Sequence, residues 1–252
     1  MVWHAFSATL ILRLVFPRVG PERRRALNRW WAAKLLRIVG VAVSVEGDPP
    51  ASAGEGSMIA ANHISWLDIF ALQSVRPTRF VAKSEVRDWP LAGWIAERAG
   101  TLFIRRGLRR DTARINEVVH AALAQGDCVG IFPEGATTEG DALLKFHSSL
   151  FEPAVVNNAR VHPCAIRYAH ADGSLCRAIA YVGELSFMES LGLVIRQRGV
   201  VARLRFADPI PTAGTTRREV AAAARVRVAS LLGLEPTDSA PRRARGPAGA
   251  PQ

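Results

Sequence analysis

The chain has 252 residues, of which 49% are hydrophobic, so it can bury the core of one α/β domain and is not disordered throughout. Its three cysteines lack the spacing of a disulfide framework or a zinc site, so we predict no metal and a reducing, cytoplasmic-side environment. The net charge of +11 is concentrated at the ends of the chain. Residues 1–40 carry eight basic residues and one acidic residue, whereas residues 41–235 carry 22 basic and 20 acidic residues. Nucleic-acid-binding domains spread basic residues over a folded face, so we predict no nucleic-acid partner and expect the N-terminus to attach to a membrane surface.

Residues 5–16 form a mostly apolar stretch that Arg13 interrupts and Pro17 ends. A bilayer-spanning helix needs about 20 apolar residues, so this stretch can only lie in the membrane interface. A signal peptide is the alternative interpretation. No Lys or Arg precedes the stretch and no small-residue cleavage site follows it, which argues against that alternative.

The next segment is predicted to be a helix, because Pro21 suits a first helical turn and Gly40 suits the position just past a last turn. One apolar stripe, interrupted by Lys34, follows the helical spacing. The stripe contains Leu27, Trp30, Trp31, Leu35 and Ile38. Paired tryptophans beside arginines favour the membrane interface, while packing of the same stripe on the protein's own core remains the alternative.

From Val41 onward, short β-branched runs alternate with longer helical patterns, which predicts an α/β fold with a largely parallel mixed sheet flanked by helices. The predicted strands are Val41–Glu46, Ser57–Asn62, Arg79–Lys83, Thr101–Arg105, Cys128–Pro133, Val161–Tyr168, Ala178–Gly183 and Val200–Phe206. The clearest predicted helices are Leu91–Arg98, Asp111–Gln125 and Arg217–Leu232. We therefore divide the chain into a membrane-surface helical segment (1–40), a catalytic domain (41–235) and a disordered basic tail (236–252).

A histidine and an aspartate lie where the second predicted strand ends. His63 falls in the turn and Asp68 about one helical turn later, so the carboxylate can accept the Nδ1 proton and leave Nε2 as a base. Two plainer interpretations remain. Ser65-x-x-Asp68 is also a capping-box pattern, and His147 and Glu152 have the same spacing as the His63/Asp68 pair.

Four segments follow one another along the chain: Asn62-His63-x4-Asp68, Gly100–Arg106, Phe132-Pro133-Glu134-Gly135 and Val161–Ile166. In this order they resemble the blocks of the glycerolipid acyltransferase family, typified by 1-acylglycerol-3-phosphate acyltransferases. The resemblance implies that His63 is the general base, that Asp68 is its partner and that Arg106 binds the acceptor headgroup. It also places Asn62, Glu134 and Gly135 among the substrate-binding residues.

The third block departs from the family pattern, because Ala136-Thr137-Thr138 replaces the usual Thr-Arg-Ser and one expected arginine is missing. We predict that Lys145 replaces the lost charge. The segment as a whole resembles the bacterial subgroup containing lyso-ornithine lipid acyltransferases. Two plainer readings stay open: Glu134 as a solvated residue of a turn, and Arg106 as one member of a solvated basic run.

The resemblance implies an enzyme that moves a fatty acyl group from acyl-CoA or acyl carrier protein to the hydroxyl of 1-acyl-sn-glycerol-3-phosphate, with no cofactor. Lyso-ornithine lipid is the alternative acceptor. We expect a peripheral or monotopic protein on the cytoplasmic face of the inner membrane. Two other classes remain, a catalytically silent membrane-binding protein and a hydrolase that uses the same histidine, although the Gly-x-Ser-x-Gly motif of nucleophile-elbow hydrolases is absent.

Overall fold

The computed structural model describes residues 14–15, 18–51, 54–83, 101–104 and 109–235. These residues form one seven-stranded mixed sheet with the order β1-β7-β6-β2-β5-β3-β4. All neighbouring pairs are parallel except β6 and β7, so the predicted α/β fold with a largely parallel mixed sheet is confirmed. The strands are β1 Val41–Glu46, β2 Ser57–Ala61, β3 Arg79–Lys83, β4 Leu102–Ile104, β5 Cys128–Ile131, β6 Arg160–Ala169 and β7 Val200–Phe206.

Seven of the eight predicted strands are confirmed, three of them with the predicted bounds. The strand predicted over Ala178–Gly183 is wrong: Arg177–Ile179 form a 3₁₀ turn, in which the N–H of Ala180 donates to the carbonyl oxygen of Arg177. Ile179 and Ala180 are buried in this turn. A short apolar run indicates that the segment is buried, but a buried segment need not be an extended strand.

The described helices are α1 Pro21–Ile38, α2 Leu67–Val75, α3 Arg109–Ala124, α4 Glu152–Val156, α5 Phe187–Arg196 and α6 Arg217–Leu232. The predicted helix Arg217–Leu232 is confirmed, and the one predicted over Asp111–Gln125 is found as α3. The predicted helix Leu91–Arg98 lies outside the described residues. Thr216 and Glu219 form a reciprocal capping box at the start of α6, and Gly233 has the positive φ of a helix end, +66°.

Helices cover both faces of the sheet, which explains why every residue of β2 is buried. Met58 and Ala60 point into a core shared with α3 and α6. Ile59 and Ala61 point into a second core, shared with α1, α2 and α5. Parallel strands that are buried on both faces read as continuous apolar runs, as β2 does.

The helix predicted between Pro21 and Gly40 is confirmed as α1. Its stripe is divided: Leu35 is buried, the Trp31 ring lies 5.9 Å from the Phe70 ring of α2, and Trp30 and Ile38 are 43% and 41% exposed. Part of the stripe therefore packs on the core. Among the described residues, no helix is long and apolar enough to cross a bilayer. Membrane association of residues 1–40 stays a prediction.

Gly56 supplies a test of the packing that places β2. A Cβ atom added there would lie 2.1 Å from the carbonyl oxygen of Leu123, and a backbone carbonyl cannot rotate away as a side chain can. We expect Gly56→Ala to lower the free energy of unfolding by roughly 1–3 kcal/mol or more, measured by urea denaturation. The control is Gly192→Ala in α5, where nothing lies within 4 Å and alanine should stabilise the helix by about 0.5–1 kcal/mol. Equal effects of the two changes would contradict this packing.

Candidate active site

His63 and Asp68 lie where the chain passes from β2 into α2. The strand ends at Ala61 and the helix begins at Leu67, so His63 sits in the connecting turn and Asp68 in the first helical turn. The His63 Nδ1 atom lies 2.8 Å from Asp68 Oδ2. The imidazole is 22% exposed, whereas the carboxylate is fully buried. An ionised carboxylate only accepts hydrogen bonds, so His63 carries its proton on Nδ1 and keeps the lone pair on Nε2.

The Asp68 carboxylate has three further donors. Its Oδ2 atom accepts from the backbone N–H groups of Ile64 at 2.7 Å and Ser65 at 3.0 Å, and its Oδ1 atom accepts from the Tyr168 hydroxyl at 2.9 Å. Burial, and then the charge of Asp68, raise the pKa of Tyr168 well above its usual value, so the hydroxyl keeps the proton that it donates. One half of the predicted capping box is confirmed, because the Asp68 carboxylate accepts from the Ser65 N–H. The other half is not formed, because the Asp68 N–H donates to the Ser65 carbonyl oxygen instead of the Ser65 hydroxyl.

The backbone of His63 is held from both sides by the segment that follows β5. Its N–H donates to Glu134 Oε1 at 2.8 Å, and its carbonyl oxygen accepts from the Thr138 N–H at 2.9 Å. The imidazole stacks on the Phe132 ring, with 4.0 Å between centroids and an interplanar angle of 11°. The histidine is therefore fixed through its backbone, its ring face and its Nδ1 atom.

Glu134 is buried in the turn after β5, and both of its oxygens are engaged. Oε1 accepts from His63 and Oε2 accepts from the Leu144 N–H at 2.7 Å. Burial raises the pKa of this carboxyl to about 7, although the two N–H donors favour its ionised form. The interpretation of Glu134 as a solvated turn residue is wrong, because its carboxylate joins two backbone segments inside the protein.

Asn62 is also buried, and its amide pairs with the backbone of Ile166 in β6. Nδ2 donates to the Ile166 carbonyl oxygen at 3.0 Å, and Oδ1 accepts from the Ile166 N–H at 2.7 Å. This continues the β2–β6 pairing by one residue after β2 ends. The geometry gives Asn62 a positioning role, and the substrate contact predicted for it gains no support.

The remaining predicted site residues are Gly135, Lys145 and Arg106. Gly135 has a φ of +71°, and a Cβ atom there would come within 3.4 Å of the His147 ring. Lys145 is exposed on the same connection between β5 and β6. Arg106 lies outside the described residues. The substrate contacts of Gly135, Lys145 and Arg106 stay predictions.

The pair His147/Glu152, which has the same spacing as His63/Asp68, is a coincidence of sequence. Glu152 accepts from Arg217 at 3.1 Å, and the His147 backbone N–H donates to the Pro133 carbonyl oxygen.

Sequence reasoning missed Tyr168 and the ring partner Phe132. Tyr168 lies 100 residues beyond Asp68 in the chain and reaches it because β6 lies beside β2. Its signal was a tyrosine next to the apolar residues Cys164 and Ile166 on one face of β6, since a buried tyrosine hydroxyl requires a hydrogen-bond partner. Phe132 belongs to the segment Phe132-Pro133-Glu134-Gly135, but nothing in the neighbouring sequence indicates that its ring faces His63.

Glu134→Gln should change how stability depends on pH. The folded-state pKa of about 7 exceeds the ordinary 4.5, so between these values the folded protein keeps a proton that the unfolded chain has lost. The contribution of Glu134 to the free energy of unfolding therefore falls as pH rises from about 4.5 to about 7. Glutamine lacks this proton, so urea denaturation across that range should show a smaller decline for the variant. In the control Glu152→Gln, the wild-type decline should persist; the same decline in Glu134→Gln would refute the assignment.

The sequence profile of the acyltransferase family matches residues 42–167, which contain β1 to β6 and the His63/Asp68 pair. Lyso-ornithine lipid O-acyltransferase from Pseudomonas aeruginosa is 40% identical over 230 residues, covering 90% of this chain and 86% of the relative. 1-acyl-sn-glycerol-3-phosphate acyltransferase from Neisseria meningitidis is 37% identical over 186 residues, covering 74% and 72%.

The fold is also that of a solved structure. The 1-acyl-sn-glycerophosphate acyltransferase of Thermotoga maritima superposes with a TM-score of 0.61 at 20% identity, covering 91% of this chain and 93% of the other. The matching profile and the extended similarity to two acyltransferases confirm the predicted resemblance. The chain belongs to the acyltransferase family and is a glycerolipid or lysolipid acyltransferase.

Proposed function

We propose that the protein transfers a fatty acyl group from an acyl thioester to the free hydroxyl of a membrane lysolipid, with His63 as general base. One observation carries this assignment: the 2.8 Å contact between His63 Nδ1 and the buried Asp68 carboxylate. It fixes the tautomer in which Nε2 can accept a proton. The imidazole is the partly exposed member of the pair, as a group that meets substrate must be.

The reaction follows from this arrangement. Neutral His63 removes the hydroxyl proton through Nε2 as the hydroxyl oxygen forms a bond to the thioester carbonyl carbon. The tetrahedral intermediate collapses, the carbon–sulfur bond breaks, and the thiolate takes the proton from the imidazolium. Asp68 stabilises the imidazolium during the interval, as the aspartate does in serine hydrolase triads. The donor is acyl-CoA or acyl carrier protein, and no covalent enzyme intermediate is needed.

Two acceptors have support, and the sequence prediction favours 1-acylglycerol-3-phosphate. Its phosphate suits Arg106, because arginine binds phosphate through paired charge-assisted hydrogen bonds. The Neisseria meningitidis relative is named for this activity. Against it, Thr137 occupies the position in the third block where an arginine is expected, and its hydroxyl donates to the Tyr181 carbonyl oxygen.

Lyso-ornithine lipid is the acceptor that we now favour. The Pseudomonas aeruginosa relative, which matches more of the chain at higher identity, is named for it. The ornithine headgroup carries an ammonium and a carboxylate, and acids from the loop after Thr138 meet a base from the turn after β6. Arg177 pairs with Glu139 at 3.2 Å and with Asp141 at 2.8 Å, two acids for one base. Such an exposed cluster suits a zwitterion better than a phosphate.

We also propose peripheral attachment to the cytoplasmic face of the inner membrane through residues 1–40. The eight basic residues of this segment support the proposal, because each basic residue near an anionic surface contributes about 1 kcal/mol. Arg23 and Arg29 are exposed on α1. Membrane attachment would bring the enzyme to acceptors that reside in the bilayer.

His63→Ala should lower turnover by about 10²- to 10⁴-fold, the usual loss when a general base is removed. Asp68→Asn should cost nearly as much, because asparagine cannot hold the same tautomer. The control is His120→Ala on the exposed side of α3, which should retain wild-type turnover. Each variant is assayed for thiol release and for free fatty acid, with folding checked by thermal denaturation. A folded His63→Ala protein with near-normal turnover would rule out this base, and fatty acid release without lipid product would indicate a hydrolase.

Competition between the two acceptors, with one acyl thioester and purified wild-type protein, should give the higher kcat/KM for lyso-ornithine lipid. Arg177→Gln leaves Glu139 and Asp141 without their cation, so it should alter the ratio between the acceptors and leave the donor KM unchanged. A wide preference for 1-acylglycerol-3-phosphate would overturn our choice of acceptor and leave the His63 chemistry in place.

A further inference from the structure

The solvent side of α5 carries an apolar stripe beside the active site. Met188 and Ile195 are 70% and 47% exposed, and they lie seven residues apart, which is nearly two full helical turns. Leu191, half-buried, lies between them on the same side. The opposite side of α5 is buried through Ser190 and Val194, so the helix has an inner face and a second, outward apolar face.

The end of α5 lies beside the end of α1. The carbonyl oxygen of Gln197, one residue past α5, would lie 3.4 Å from a Cβ atom on Gly40, two residues past α1. Ile38, 41% exposed, belongs to that end of α1. Met188, Leu191, Ile195 and Ile38 are called the α5 surface here. The exposed hydrophobic residues Val45, Val156 and Val226 lie one to an element and need no explanation.

The α5 surface is joined to the catalytic turn by a row of rings. Trp66, which lies between His63 and Asp68 in sequence, has its ring 5.2 Å from Phe187 at the start of α5. Its Nε1 atom donates to Ser190 in the buried face of that helix. The orientation of the α5 surface relative to His63 is therefore fixed by direct contacts.

Charge around the α5 surface identifies the kind of partner. Arg37, Arg196 and Arg198 are exposed at its Ile38 and Ile195 end. At the other end Glu189 is engaged in the capping box with Ser186, at 2.6 Å. An apolar helix face bordered by arginines has the composition of segments that lie in the interface of an anionic bilayer. Ten residues are too few to span it, so the helix can only lie flat.

We infer that the α5 surface, which joins α5 to the Ile38 end of the basic segment 1–40, docks on the lipid bilayer and holds the catalytic turn toward the membrane. The inference rests on the proposed function in one respect: a lysolipid acceptor resides in the bilayer. An enzyme whose catalytic turn faces the membrane receives that acceptor without drawing its acyl chain through water.

The test compares two matched double variants of the full-length protein. Met188→Glu/Ile195→Glu changes the α5 surface, and Val156→Glu/Val226→Glu adds the same charge at isolated exposed positions. Binding is measured by co-sedimentation with vesicles of phosphatidylcholine and phosphatidylglycerol, at low salt and at high salt, which screens the basic segment. The α5 variant should bind about 10- to 100-fold more weakly, with the larger loss at high salt, while the control binds like the wild type.

Turnover of a short-chain lysolipid that remains monomeric in water separates docking from chemistry. The α5 variant should acylate this substrate at the wild-type rate and lose activity only on lysolipid in vesicles. Wild-type vesicle binding by the α5 variant would overturn the inference. So would a wild-type dimer in size-exclusion chromatography that the α5 variant fails to form, because a second copy would then occupy the surface. Absence of acyl transfer by the wild type on either substrate would count against the proposed function and leave the binding result to decide the docking surface.

Discussion

A fully buried carboxylate, that of Asp68, is the constraint on which the catalytic region depends. Removing an ionised carboxylate from water costs several kcal/mol of folding free energy unless hydrogen-bond donors surround the carboxylate. Asp68 meets this requirement with two N–H groups from its own turn, the Tyr168 hydroxyl and the His63 ring. The two backbone donors require the chain to turn tightly after β2, and Tyr168 requires β6 to lie beside that turn. The position of His63 is thus one consequence of satisfying a single buried charge.

A second buried carboxylate acts on the same histidine by a different route. Glu134 contacts the His63 backbone instead of its ring, and its other oxygen holds Leu144. Asp68 therefore sets the direction of the imidazole and Glu134 sets the place of the peptide that carries it. Burial is the main cause of the raised pKa of Glu134, and the nearby Asp68 carboxylate raises it further. This division explains why a Pro-Glu-Gly turn far along the chain accompanies the His/Asp motif.

How far the sequence predicts this structure depends on the sequence separation of the interacting residues. The strand Val41–Glu46 and the helix Arg217–Leu232 follow from local periodicity and caps, and their bounds match. The His63/Asp68 pair was predictable because a strand end and a helix start lie within five residues. The contact of Tyr168 with Asp68 spans 100 residues and depends on strand order, which no local pattern encodes. The strand predicted over Ala178–Gly183 is wrong because a short apolar sequence is the same whether the buried backbone is extended or turned.

The proposed chemistry and the proposed acceptor recognition involve different parts of the chain. His63 and Asp68, the proposed base and its partner, are held by backbone and side-chain contacts at the end of β2. Among the described candidates for headgroup contact, Lys145, Glu139 and Asp141 lie on the connection between β5 and β6, and Arg177 lies after β6. Loops can change their side chains without disturbing the buried carboxylates. Under the proposed function, the His63/Asp68 pair performs acyl transfer and the exposed loops select the lysolipid acceptor, which agrees with a family whose members bear different substrate names.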